Sequence, residues 1–407
     1  MRAQPLKGIK VIDISSAYAG PYCSMLLADM GAEVIKIEKP GEGDPCRTWG
    51  PPFIKNESAW FLSVNRNKKS VAIDIFKPEG KELLDDLLKD ADVFIENLKP
   101  SSIPKFGLAY EQVKKINDQI VYCAISGYGH TGPLKNEPGY DLIAQAMSGL
   151  MSVTGESNGR PQRVGTAITD IVTGMISAYG IVSGLFQRTI TGEGLFIDTA
   201  LLDTDLALMA PRITSYLASG EEPIRSGGTD SVITIYQALR TADEDIVVAT
   251  GTSGIWKRFC TAINQPELID NPDYCTNEKR KENQSNLIDF VEQILIQHES
   301  KYWLQKFSEM KIPAAAILKV SDVVQLPQAL AREMIIGMNH PVAGNVKIVG
   351  SPIAINGDKV EIKPSPLLGQ NTNEVLTDLG VPEYRLKELE KIGVIELYEE
   401  NLNQQVK

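Results

Sequence analysis

Lys10–Glu38, KVIDISSAYAGPYCSMLLADMGAEVIKIE, decides the fold. KVIDI (10–14) and EVIKIE (33–38) are short apolar runs rich in β-branched residues, and between them the chain turns at Gly20 and Pro21 into an apolar stretch of helical length ending near Met30. Strand, helix and strand in so short a segment make a βαβ unit, whose crossover helix requires the two strands to be parallel. Proline at the first helical position suits a helix start, since its missing N–H would have no partner there. Glu38, eighteen residues beyond Gly20, imitates the ribose-binding acid of dinucleotide folds. The glycine pattern does not: SSAYAGPY offers one glycine followed by a proline, where a pyrophosphate loop needs G-x-G-x-x-G.

The same alternation continues outward. SVAIDI (70–75), a Lys/Glu/Leu helix over 78–89, DVFIEN (92–97) and QIVYCAIS (119–126) repeat strand, helix, strand. This predicts an α/β, Rossmann-like large domain with a parallel sheet covered by helices. A helix beginning near Asp170 and then GLFIDTALLDTDLALM (194–209), read as a buried strand and a helix, extend it. ASGEEPIRSGGTDS (218–231) is rich in Gly, Ser and charge and marks a boundary. Beyond it, ITIYQAL, DIVVAT and the amphipathic NLIDFVEQILIQHESKYWLQKF predict a smaller α+β domain. The expected division is 1–205 with 326–407 as the large domain, and 206–325 as linker and small domain, with LKELEKIGVIELYEEN (386–401) closing the chain as a charged helix.

The chain has 407 residues, 43% of them hydrophobic, and a net charge of −11, which argues against a nucleic-acid or anionic-membrane partner. Five cysteines without CxxC spacing indicate neither a disulfide framework nor a thiolate metal site. The N-terminus enters a strand pattern at once, and the longest apolar run, 171–186, is shorter than a bilayer span and reads as a buried helix. A cytoplasmic protein is expected.

Few residues can carry chemistry. His130, His298 and His340 lie apart from one another and from acidic clusters, read as surface or loop side chains, and predict no metal site. NRNKKS (65–70) is either a solvated charged face or a phosphate contact through Arg66, Lys68 and Lys69, which Lys39, Lys99 and Lys105 at other strand ends would join. Gly227-Gly228 is a linker turn, or a loop presenting backbone N–H groups to an oxyanion. In RVGTAITDIVTGMISAYG (163–180) Asp170 is the one charged residue after the arginine. It is either a helix N-cap or a nucleophile.

Seven stretches in order resemble the class III CoA-transferases of the CaiB/BaiF type, the group containing formyl-CoA transferase, carnitine CoA-transferase and α-methylacyl-CoA racemase. They are 6–47, SVNRNKKSVAIDI (63–75), DVFIENLKP (92–100), ISGYGHTGP (125–133), GYDLIAQAMSG (139–149), RVGTAITDIVTGMISAYGI (163–181) and SPLLGQNTNEVLTDLG (365–380). The resemblance implies that Asp170 is the nucleophile, forming a mixed anhydride and then an aspartyl-CoA thioester. It implies coenzyme A contacts at Ala17, Tyr18, Ala19, Lys39, Asn67, Lys68, Lys69, Ser70, Asn97 and Lys105, with Gly227 or Gly228 amides nearby, Asp141 positioning the reacting groups and Trp49 lining the site. Lys39 and Lys105 stand where the family often has arginine, and Ser226–Thr229 is shorter in glycine than the loop of formyl-CoA transferase, which weighs against oxalate as acceptor. Racemases carry a histidine where this chain has Tyr140, and a phenol with a pKa near 10 is a poor base, so the resemblance favours transfer. An acyl-CoA racemase and a non-catalytic CoA-binding protein are the alternatives. The family implies an interlocked homodimer, acyl-CoA and a carboxylic acid as substrates, and no tightly bound cofactor.

Overall fold

The computed structural model describes residues 4–398. The chain forms two compact units: one holds the chain up to Leu150, Val164–Leu217 and the chain from Pro327 onward, the other Met151–Arg163 and Ala218–Leu326. The second unit claims 151–163, which the sequence reading gave to the large domain. The Arg225 guanidinium donates to the carbonyls of Glu156 and Gly159, and Gly227 N to that of Gly155, so the loop is tied to the linker. At the other boundary, backbone bonding from Met209 to Ile213 carries the helical region past residue 205.

In the first unit, strands β1 (Lys10–Asp13), β2 (Glu33–Glu38), β3 (Lys68–Ile73), β4 (Val93–Glu96), β5 (Val121–Ser126) and β6 (Leu195–Ala200) are parallel and lie in the order 3-2-1-4-5-6. Ile395–Glu396 adds an antiparallel seventh strand beside β3. Helices α1 (Ala19–Asp29), α2 (Pro78–Lys89), α3 (Asp141–Met147), α4 (Ile168–Thr191) and α5 (Leu201–Leu208) surround this sheet. Val11, Val34 and Val93 point to one face, with Cys23 and Leu27 of α1 and Ile181 and Leu185 of α4. Ile12, Ile35 and Phe94 point to the other, with Leu84 of α2 and Leu376 and Leu389 from the C-terminal region. Burial on both faces is why these strands show no polar alternation.

Several boundaries differ from the sequence reading. The helix α1 starts at Ala19, so Pro21 is its third residue. Proline is tolerated there because first-turn N–H groups have no intrahelical acceptor. Strand β3 starts at Lys68, two residues early, and takes Lys68 and Lys69 into the sheet. Strand β6 is an edge strand with alternately exposed residues, not a buried one. The C-terminal helix ends at Lys391, and Gly393, at φ +66°, turns the chain into the last strand.

Helix α4 is 24 residues long, enough in length and apolarity to cross a bilayer. It is not the wholly buried helix expected. Thr173, Gly174, Ser177 and Ile181 are buried, whereas Tyr179 is 76%, Phe186 69% and Ile190 73% exposed.

The second unit has a three-stranded antiparallel sheet of Tyr236–Leu239, Ile246–Ala249 and Ala314–Ala316. Helices Ser253–Ala262, Gln284–Leu295 and Ser300–Glu309 pack a core of Trp256, Phe259, Leu287, Trp303 and Phe307 on it. It is an α+β unit.

Candidate active site

A doubly wound sheet opens a crevice where its strand order reverses, here between the C-terminal ends of β1 and β4. Asn97, just past β4, grips the turn after β1: its Oδ1 accepts Ser16 N at 2.9 Å and its Nδ2 donates to Ser16 O at 2.8 Å. Ala17 follows in the left-handed region at φ +67°, its N–H donated to Asp44 Oδ1 at 3.1 Å. A cavity of 220 Å³ opens over this turn, lined among others by Tyr18, Trp49, Asn97, Tyr140 and Asp170. Trp60 joins Tyr18 and Trp49 edge-on, with ring centroids 5.5 and 6.0 Å away, so one wall is aromatic.

Two close approaches bring Asp170 and Tyr140 to this cavity. Gly174, one turn further along α4, lies so near α1 that a Cβ there would stand 2.7 Å from the Ala19 carbonyl oxygen. Gly127 and Gly139 cross with backbones in contact, a Cβ on Gly139 falling 2.5 Å from Gly127 Cα, which lays Tyr140 along the cavity. The expected N-cap role of Asp170 is filled otherwise. Ala167 is the N-cap, and Asp141 Oδ2, from α3, accepts Thr169 N at 2.9 Å and Asp170 N at 3.3 Å. Asp170 therefore stands in the first turn with its own carboxylate free of capping. Burial, followed by the neighbouring Asp141 and Asp205, raises it to about 7.

The basic stretch serves the scaffold. Arg66 pairs with Asp29 at 2.7 Å, and Lys69 with Glu33 and Glu374 at 2.8 Å each. Lys68 Nζ is buried, donating to Pro21 O and Asn65 Oδ1 with Asp13 Oδ2 at 3.6 Å. Asn67, at φ +63°, bridges Asp29 and the backbone of Lys363, while Ser70 donates to Glu38. Asn67, Lys68, Lys69 and Ser70 are thus held by partners from distant sequence, and none of the four lines the cavity that Asp170 lines. Below the Ser16 turn the network continues through Lys36–Asp44 at 2.8 Å and the two-point grip of Arg47 on Glu38. Burial opposes the charged form of Glu38, but Arg47 and Lys36 outweigh it and hold the carboxyl at about 2.

A second cavity, of 240 Å³, shares Ser16 with the first and is lined by Lys36, Lys39, Asp44, Asp74 and Phe76. Lys39 reaches it, paired with Glu42; Lys105 is exposed on the 3₁₀ turn Ile103–Phe106. Gly227 and Gly228 lie in the second unit, and the Gly227 N–H is already donated to Gly155 O at 3.0 Å, so it is not the free donor expected. His340 is buried rather than a surface residue, its Nδ1 accepting N–H groups of Val342 and Ala343. Among the described residues no His/Cys/Asp/Glu group of metal-binding size occurs. Glu96 and Asp205 were missed by the sequence reading. Buried Glu96 is raised to about 8 by its desolvation, with His130 Nε2 3.9 Å away.

The sequence profile of CoA-transferase family III matches residues 6–372. The chain belongs to that family. A CoA-transferase of this family can be compared with mouse succinyl-CoA:glutarate CoA-transferase, to which the chain is 41% identical over 398 residues, 97% of this chain and 91% of the relative. Succinate–glutarate CoA-transferase of Agrobacterium fabrum is 36% identical over 94% of this chain and 97% of its own length. Among solved structures, a CAIB/BAIF family protein from Brucella suis superposes with a TM-score of 0.82 at 37% identity, covering 93% of this chain and all of that one. The protein is thus an enzyme, a family III CoA-transferase.

Proposed function

We propose that this CoA-transferase moves CoA between dicarboxylic acids, with Asp170 as nucleophile. The observation that carries the assignment is the free, raised carboxylate of Asp170 in the switch-point cavity, its helix end capped by Asp141. The ionised carboxylate attacks the thioester carbonyl, the C–S bond breaks and CoA leaves as thiolate, giving a mixed anhydride. The thiolate then attacks the aspartyl carbonyl, releasing the donor acid and forming an aspartyl-CoA thioester. The acceptor carboxylate attacks that carbonyl, expelling the thiolate again. Attack of the thiolate on the acceptor's acyl carbon forms the new thioester and frees Asp170.

The thioester end of the substrate fits beside Ala17, Tyr18, Ala19 and Asn97, and its nucleotide end the cavity reached through Ser16, with Lys39 in its lining toward the phosphates; Lys105, exposed outside both linings, is the second candidate phosphate contact. Dicarboxylates are favoured by the succinyl and glutarate named for the relatives. Tyr179, Phe186 and Ile190 on α4 give an apolar face suited to a second copy, so the working form is a homodimer, soluble and cytoplasmic, consistent with five free cysteines.

The test incubates enzyme with succinyl-CoA and a panel of carboxylic acids and reads every CoA thioester by mass. New pairings that disappear in Asp170→Ala, with CoA still bound, are the expected result. Transfer persisting in that variant would overturn the role of Asp170, and α-deuteration in heavy water without new pairings would point to a racemase.

A further inference from the structure

We infer that Asp205 is a positioning residue for the nucleophile, anchoring the first turn of α4 through Thr169 and holding a negative charge beside the Asp170 carboxylate. This rests on the role given to Asp170 above.

Asp205 lies in α5 with no exposed surface, and both its carboxylate oxygens stand 2.9 Å from Thr169 Oγ1. Thr169, equally buried, is therefore gripped twice: Asp141 accepts its amide N–H and Asp205 its hydroxyl. An anchor alone needs no charge. An asparagine or a backbone carbonyl accepts a hydroxyl equally well, without the cost of burying a carboxylate that has no cation.

The groups facing Asp170 are Asp141 from α3, Asp205 from α5 and the Tyr18 phenol at the start of α1; none of them is a cation. Burial and Asp141 also raise Asp205, to about 6, so when Asp170 itself ionises, near 7, its carboxylate meets an Asp205 that is already charged. Attack on the thioester moves charge from Asp170 to the thioester oxygen and then to the departing sulfur. The repulsion from Asp205 is largest before that step and falls during it, which destabilises the reactant more than the transition state. Asp205 touches no reacting atom and acts through the energy and placement of Asp170.

Asp205→Asn keeps an oxygen acceptor for Thr169 and removes the charge. In a profile of kcat/KM against pH, the acid limb set by Asp170 is expected to move down by about half a pH unit or more. The plateau should fall severalfold, with KM for the acyl-CoA unchanged. A lower plateau with an unmoved limb would mean Asp205 is only an anchor and would overturn the inference. If the variant does not fold, a difference-infrared titration of wild type against Asp170→Asn gives the same answer. Titration of Asp170 near neutrality in two coupled steps supports the charge, and one step in the usual carboxylate range overturns it. An active Asp170→Ala enzyme would sink the nucleophile itself, whereas an inactive one with an unmoved Asp205→Asn limb sinks only this inference.

Discussion

Two groups of buried charge stand at the C-terminal end of the main sheet, and they are built on opposite rules. Around β1, β2 and β3, Asp13, Lys36, Glu38, Asp44, Arg47 and Lys68 form three pairs of opposite sign, each carboxylate with a basic group within 3.6 Å. At the start of α4, Asp141, Asp170 and Asp205 carry one sign, and among the described residues none of the three has an ion-pair partner. The first arrangement leaves Asp13 below its ordinary value: burial raises it, but Lys36 and Lys68 outweigh that. The second pushes Asp170 and Asp205 up, to about 7 and about 6. Mutual neutralisation makes a stiff support for the Ser16 turn; its absence makes a reactive carboxylate.

The largest effect is expected in the paired group. Asp13→Ala removes the acceptor of Ser15 N, Ser15 Oγ and Ser24 Oγ together with the carboxylate beside Lys68, which burial already lowers to about 7, and should cost about 3–5 kcal/mol, read as a fall in the urea midpoint. An unchanged midpoint would mean the pairing is not what holds the turn. Gly174→Val comes next, since its Cβ would strike the Ala19 carbonyl. It should cost about 1–3 kcal/mol and most of the turnover by displacing α4 from α1. Full turnover would show that the contact does not place Asp170.

Asp170→Asn sharpens the contrast, because there the substitution should stabilise. The carboxyl titrates near 3.8 when unfolded and near 7 when folded, so the folded chain retains a proton that the unfolded chain releases, and wild type loses stability as pH rises through that window. The variant, with no carboxyl at this position to titrate, escapes this loss. Its melting temperature should exceed that of wild type by about 2–4 °C at neutral pH, with the gain shrinking toward pH 4. A lower melting temperature at pH 7 would break the comparison. The smallest effect is that of Lys39→Ala, exposed and tied only to Glu42: a rise of roughly threefold in KM for acyl-CoA with kcat unchanged, since a screened surface contact contributes below about 1 kcal/mol.

The alternation of strand and helix from Lys10 to Ser126 was legible because strands buried on both faces must be continuously apolar. Its ends were less so. Lys68 and Lys69 looked like loop because their counter-charges, Asp13, Glu33 and Glu374, lie far off in sequence, and the final strand was hidden inside a charged helical pattern. The local residues left Asp170 between cap and nucleophile, and no local pattern shows that Asp141 occupies the cap. Asp205 was within reach. It is a carboxylate in the apolar run TALLDTDLALM, as Asp170 is in its own run, although Asp203 shares the stretch with it.

The strand at Ile395–Glu396 also bears on synthesis. The second unit, ending at Leu326, leaves the ribosome with its sheet and core complete, while the main sheet still waits for the residues that cover Ile35, Val71 and Ile73. Until then β3 is an open edge above an uncovered apolar face, the surface on which chains pair wrongly. The nascent protein thus passes through a stage with its smaller unit finished and its ligand-binding sheet unsealed, and a truncation before Leu386 would hold it there.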